Sequence, residues 1–212
     1  MDLEGLPYVI VPMEAEHVPT VAAIEQRVFP RPWSYASFIR EVRDNPQSDF
    51  VVLSYGPWAE DRDSAYLGRG WRGLFRMRDE DRSVLGYGGF WVMLDEAHIC
   101  TLAVRDEWRG CGLGQLLFQS LIERALNRAC LFVTLEVRES NIVAQRLYRK
   151  YGLVQTGRRR GYYLDNHEDA LIMTVEETNL SAYREYIAQL GERLRDRLLR
   201  EATRQPGGAL ST

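Results

Sequence analysis

The chain has 212 residues, 45% hydrophobic and 27% charged, a balance that suits one soluble globular domain with an appendage better than two full domains. Its net charge of −3 excludes a global basic field that would draw it to nucleic acid or membrane, and no apolar run nears the roughly 20 residues that span a bilayer. Cys100, Cys111 and Cys130 lack metal-site spacing and read as reduced thiols; MDLEG at the start is not a basic-then-apolar leader, so the expected location is the cytoplasm.

In chain order, Tyr8–Pro12 reads as a first strand. Val18, Val21, Ala22 and Val28 lie at helical spacing. Phe29 to Trp33 (FPRPW) breaks that helix, because its prolines cannot continue it. Ser34 is a candidate cap for the next helix, where Tyr35, Phe38, Ile39 and Val42 form an i, i+3, i+4, i+7 stripe. Residues 50–54 read as a strand. Residues 56–83 are charged, Gly-rich and aperiodic, and are expected to form a long, partly mobile hairpin insertion. Residues 84–93 and 98–104 read as strands around a turn. A helix is expected over 112–128, with Leu113, Leu116, Leu117, Leu121 and Ala125 buried. The near-continuous apolar run 131–137 reads as a strand buried on both faces. A helix over 141–151 follows, with Gly152 as its left-handed stop, then strands at 153–157 and 170–175. Tyr183, Ile187, Leu190 and Leu194 mark a final helix, and 205–212 is expected to fray. The order implies a mixed α/β domain with one central sheet.

Between a strand and a helix stands Arg109-Gly110-Cys111-Gly112-Leu113-Gly114. A helix start presents unpaired N–H groups and positive partial charge, and glycines let a pyrophosphate approach that backbone. A ligand-free Gly-rich turn is the competing reading. The Gly-Lys-Ser/Thr ending of a Walker loop and the GxGxxG spacing of a dinucleotide fold are both missing. Thr101 to Val104 leads straight into this cradle; its backbone is free for a ligand only if the strand separates from its neighbour.

Glu136 puts one carboxylate into an apolar strand, where burial is expected to raise its pKa toward that of a useful base. An ion pair, with Arg138 for example, is the alternative. Tyr148 lies beside the buried face of the following helix, as a proton donor to a leaving thiolate or as a packing residue. Asn141 caps that helix or contacts a ligand amide.

Taken together, LDEAHICTLAV, RGCGLG, LEVRESNIVAQRLYRKYGL, RRRGYY, EDALIM and the early FPRPW resemble the GNAT superfamily, and within it the RimI type of ribosomal-protein-alanine N-acetyltransferase. The resemblance implies the GNAT fold: a mixed sheet splayed between its fourth and fifth strands and flanked by helices. It assigns 8–177 to the acetyltransferase domain and 178–212 to a C-terminal helix and tail. It makes Leu102, Ala103 and Val104 the strand that contacts acetyl-CoA. Arg109, Gly110, Cys111, Gly112, Leu113, Gly114 and Gln115 become the pyrophosphate loop, and Asn141 a further CoA contact. Glu136 becomes the general base and Tyr148 the general acid. Phe29, Trp33, Tyr162 and Tyr163 resemble walls of a peptide groove. The 56–83 insertion and the tail depart from the family pattern.

The implied activity is direct acetyl transfer from acetyl-CoA to a protein N-terminal α-amine, a ribosomal protein's in particular, without a metal. An α-amine near pKa ~7.8 is freed at pH 7 for roughly 3.5 kcal/mol less than a lysine amine near ~10.4. Lysine or small-amine acetylation, a non-catalytic acyl-CoA sensor and a scaffold working through the last helix are the alternatives. A covalent route through Cys100 with His98 is the competing chemistry, lacking a third group. Arg158, Arg159 and Arg160 read as a solvated turn or as an anchor for acidic groups. Self-association through the last helix stays open.

Overall fold

Period-two alternation gives seven strands that assemble into one sheet in a computed structural model, which describes residues 2–56, 84–176, 178 and 180–204. They are β1 (Tyr8–Pro12), β2 (Ser48–Tyr55), β3 (Val84–Met93), β4 (Glu96–Val104), β5 (Phe132–Arg138), β6 (Val154–Tyr163) and β7 (Glu168–Val175). The sheet order is β1-β2-β3-β4-β5-β7-β6. Every neighbouring pair is antiparallel except β4 and β5, which run parallel. The expected insertion, from 57 onward, and the tail at 205–212 lie outside the described residues.

Helices cover both faces of the sheet. On one face lie α1 (Val18–Val28) and α2 (Tyr35–Asp44), whose Val18, Val21, Ile24 and Phe38 pack with Phe50, Val52, Tyr87 and Ala103. Ser34 caps α2 as expected, its Oγ accepting the Ser37 amide at 3.0 Å. The α2 stripe is only partly inward: Phe38 is fully buried, whereas Tyr35 is exposed because it stands in the first turn, ahead of the covered stretch.

On the other face lies α3 (Leu113–Asn127), with all five expected apolar positions buried. It sits close to the sheet over two glycines of β3: a Cβ at Gly86 or Gly88 would stand 3.0 Å from Leu117 or Leu121 respectively. α4 (Ile142–Lys150) follows β5 and stops at Gly152, whose φ of +86° is the left-handed conformation expected there. The last helix, α5 (Ser181–Arg204), buries Ile187, Leu190, Leu194 and Leu198 in the same core as α3.

Two strand expectations need correction. β5 is not buried on both faces: Val133, Leu135 and Val137 are buried against the α3 side, while Thr134, Glu136 and Arg138 alternate to a half-open face. Near-continuous hydrophobicity hides that alternation, because Phe132 and Thr134 cover the open side. β6 and β7 are longer than expected, and the Arg158 to Arg160 run lies within strand β6 rather than in a turn.

The sheet opens where β4 and β5 part. They pair only from Glu96↔Phe132 to Ile99↔Leu135. Beyond that, β4 continues with β3 alone, and Glu136 to Arg138 continue with β7 alone. The register of β3 against β4 jumps at the same place, where Ile99 faces Phe90 and Thr101 faces Gly89, leaving Cys100 as the extra residue of a bulge. A bulge bends and twists its strand, so the separation has a local cause at Cys100.

Candidate active site

The bulge and the parting strands leave the β5-facing backbone edge of Leu102, Ala103 and Val104 without a strand partner, while their other edge pairs with Gly88, Tyr87 and Gly86. β4 then runs through a short 3-10 turn (Asp106–Trp108) into the cradle. Gly110 and Gly112 both have φ of +80°, a conformation that strains any residue with a Cβ. The first intrahelical bond of α3 runs from Leu116 N–H to Gly112 C=O at 3.0 Å. The N–H groups of Leu113, Gly114 and Gln115 therefore have no helical partner, and they find no other acceptor among the described residues.

The residues expected at this loop divide by what they offer. Leu113 is buried in the core, so only its backbone is available. The Arg109 guanidinium folds back, ion-paired with Asp106 at 2.9 Å and donating to Val104 C=O at 3.4 Å. Cys111 is exposed, its thiol 3.7 Å from the Arg109 carbonyl. Gln115 turns its Oε1 to Lys150 Nζ at 3.1 Å and leaves its Nε2 buried without an acceptor. A loop of free amides ending in an orphaned buried donor fits an acceptor-rich anion such as a pyrophosphate.

Glu136 lies on the open face of β5, its side chain 9% exposed. It is ion-paired, but not with Arg138. His98 of β4 donates from Nε2 to Glu136 Oε2 at 2.9 Å, and Arg159 of β6 reaches Oε1 at 3.0 Å. The expected rise in the Glu136 pKa is therefore overturned: His98 outweighs burial and holds the carboxyl below its ordinary value. His98 moves the other way, raised above 6.5 chiefly by its bond to Glu136. Sequence reasoning missed this pair. It paired His98 with Cys100, whereas the Cys100 thiol donates to Gly89 C=O at 3.3 Å and burial pushes its pKa well up. That leaves Cys100 with neither base nor thiolate character for a covalent route.

An aromatic column links His98 to the first helices. Trp33 stacks on Trp91 at 5.7 Å, and Trp91 stacks on His98 at 6.2 Å. Trp91 Nε1 also donates to Glu41 Oε2 at 2.8 Å. The FPRPW loop is tied down by Glu25 of α1, which accepts the Trp33 amide at 3.1 Å and the Tyr87 hydroxyl. Glu25 is 2% exposed, and burial raises its pKa to about 7. Phe29 is half-buried beside the same cluster.

Tyr148 packs its ring on Phe118 at 4.9 Å, and its hydroxyl makes no hydrogen bond within the protein among the described residues. Burial, and then the neighbouring Tyr163, push its pKa above 10. Tyr163, raised to about 12, lies under the Arg138 guanidinium at 3.9 Å and edge-on to the exposed Tyr162 at 5.2 Å. Asn141 caps α4, its Oδ1 accepting the Ala144 amide at 3.1 Å. The turn before it is fixed by Glu168, which accepts the Ser140 amide at 2.7 Å; Ser140, through its hydroxyl first and then this amide, lowers the Glu168 pKa to about 2. Arg158 pairs with Glu139 and Asp169, so the arginine run anchors acidic groups of this chain.

Among the described residues no His/Cys/Asp/Glu cluster could hold a metal ion, and no helix is long and apolar enough to cross a membrane.

The acetyltransferase (GNAT) family model matches residues 22–153. A Bacillus subtilis (strain 168) protein, provisionally named a ribosomal protein bS18-alanine N-acetyltransferase, is 35% identical over 77% of this chain and 91% of its own length. The crystal structure of the ribosomal-protein-S18-alanine N-acetyltransferase from Escherichia coli superposes with a TM-score of 0.62 at 27% identity, over 80% of this chain and 94% of that one. Arabidopsis thaliana NAA60 in complex with acetyl-CoA, at 17% identity, shares the fold with a TM-score of 0.62 over 80% and 99% of the two chains.

Proposed function

The chain belongs to the GNAT acetyltransferase family, and on that premise we propose that it transfers acetyl from acetyl-CoA to the N-terminal α-amine of a protein, a ribosomal protein in the first place. The observation that carries the reading is the parting of β4 from β5 beyond Ile99↔Leu135. One freed strand leads into the amide-rich loop Gly110 to Gln115, and the other carries Glu136, paired with His98, right at the fork. Relatives named as ribosomal-protein-alanine N-acetyltransferases support the α-amine, and the acetyl-CoA held by a neighbour of the same fold supports the co-substrate.

Acetyl-CoA brings an acyl group already activated as a thioester. The chain's residues do the rest. Free amides of α3's first turn hold phosphate oxygens, and the open edge of Leu102 to Val104 orients the pantetheine arm. N–H groups on that edge meet the charge that develops on the acyl oxygen, a contribution of roughly 3 kcal/mol per donor. The incoming ammonium faces Glu136. Glu136 takes the ammonium's proton in passing and hands it to water, because a carboxylate held below its ordinary pKa does not keep it, and the freed amine attacks the thioester carbon as the C–S bond breaks. His98, whose Nε2–H already donates to Glu136 Oε2, orients the carboxylate. Tyr148 offers its unpartnered hydroxyl to the departing sulfur; with its pKa raised, hydrogen bonding there is favoured over full proton release. Phe29, Trp33, Tyr162 and Tyr163 form the groove that presents the peptide.

Acetylation of a peptide panel tests the reading. Peptides with a free N-terminal alanine are expected to be acetylated at least tenfold faster than N-blocked peptides carrying an internal lysine. A preference for the ε-amine would reject the α-amine assignment and keep the family.

A further inference from the structure

Helix α5 lies outside the segment that the family model matches, residues 22–153. Its Arg197 nevertheless lies against the cradle: a Cβ at Gly112 would stand 2.5 Å from Arg197 Nη2 and 3.3 Å from Leu198 Cδ2. Arg197 Nη2 donates to Gln115 Oε1 at 3.4 Å, the same oxygen that accepts from Lys150 Nζ at 3.1 Å. Two cations thus share one neutral acceptor. Lys150 has no carboxylate partner among the described residues, and the one carboxylate near Arg197, Glu201, is 3.9 Å from Nε. Arg197 Nε and Gln115 Nε2 are both buried and unpartnered. Burial and the nearby Arg197 and Arg193 hold the Lys150 ammonium below its ordinary pKa, as crowded positive charge does.

The arrangement is rigidly presented. Tyr183 and Tyr186 of α5 donate their hydroxyls to the Tyr151 and Lys150 carbonyls at 3.0 and 2.7 Å, and Gln119 of α3 donates to Ile187 C=O at 3.0 Å. Leu194 and Leu198, flanking Arg197, are buried. Lys150 without a carboxylate and Arg197 with only a long pair to Glu201 meet at Gln115 Oε1, beside two orphaned donors and over Gly112 at the free-amide start of α3. An anion with several oxygens satisfies them together, and a guanidinium fork suits phosphate in particular.

We infer that Arg197, with Lys150, holds a phosphate of the acyl-CoA co-substrate, so that α5 completes the phosphate end of the site. The inference rests on the acetyl-CoA reading above and adds to it a helix from outside the family-matched segment.

Isothermal titration of the full chain with acetyl-CoA, acetyl-3′-dephospho-CoA and S-acetylpantetheine tests it, alongside α-amine acetylation. Arg197→Met keeps the aliphatic stem, and its far-ultraviolet circular dichroism is expected to match wild type. It is expected to weaken acetyl-CoA about tenfold or more, and Lys150→Met similarly. Arg197→Lys recovers part of the loss, and S-acetylpantetheine, lacking phosphate, binds all forms alike. A penalty confined to acetyl-CoA assigns the 3′-phosphate; an equal penalty on the dephospho form assigns the pyrophosphate. Arg197→Met and Lys150→Met binding acetyl-CoA as wild type does would overturn the inference and leave the functional reading intact. A wild type that binds acetyl-CoA, loses it with Arg197→Met and yet acetylates no α-amine would reject the functional reading alone. A wild type that does not bind acetyl-CoA at all would sink both.

Discussion

Glu136 has two partners, and each sets a different property. Arg159 and His98 keep it ionised, while its charge raises His98. A protonated His98 holds Glu136 in an ion pair and weakens it as a proton acceptor, so kcat rises with pH as His98 loses its proton, through its raised pKa. Glu136→Gln removes the main cause of that rise. The limb should then move to lower pH, with kcat falling by about 10²-fold or more, measured in a pH–rate series on one peptide. Glu25 gives a second prediction. Its pKa is raised from 4.5 to about 7, so protonation favours the fold: that stability is fully present below 4.5 and lost as pH rises through 7. The loss is up to about 3 kcal/mol. Glu25→Gln keeps Oε1 as acceptor for the Trp33 amide and turns an N–H toward the Tyr87 hydroxyl, which then accepts, so in urea unfolding it should exceed wild type at pH 8 and match it near pH 5. Glu136 was legible in the sequence because a lone carboxylate stands out in an apolar strand. Its partner was not, because alternation tells which face His98 occupies but not which strand lies beside it. The expected pKa direction failed for the same reason: burial was visible, the imidazole was not.

At the scale of elements, the cradle and the parting strands come from backbone conformation. Gly112→Ala forces a Cβ into left-handed backbone, costing roughly 1–2 kcal/mol, and pushes against the Arg197 guanidinium. Gly110→Ala meets the same backbone cost with nothing within 4 Å. Both variants should lower the melting temperature alike, but Gly112→Ala should lose more acetyl-CoA affinity, read by thermal shift with and without it. The loop was readable from its glycines and from its place between strand and helix. The resemblance supplied the separation of β4 from β5; no pattern in the residues revealed it, since the bulge at Cys100 is a register event and periodicity is blind to register. Helix positions fared better, because Ser34, Gly152 and the α3 leucines act within a few residues of themselves.

For the whole molecule, the decisive feature is that α5 belongs to the core. Its apolar spacing was plain in the sequence, but whether it met the domain or a partner was not, since a stripe does not name what covers it. Here it lies on α3 and caps carbonyls of two other helices, Arg184 reaching Leu126 C=O at 2.8 Å and Tyr186 reaching Lys150. Leu194→Ala should cost about 2–5 kcal/mol in equilibrium unfolding, comparable to much of a domain's stability. The position of α5 also orders events during synthesis. The seven strands and α3 emerge from the ribosome first, with the outer side of α3 still bare. Only once α5 has left the exit tunnel does the seal close, so nascent chains stalled earlier should be held by chaperones and sensitive to protease.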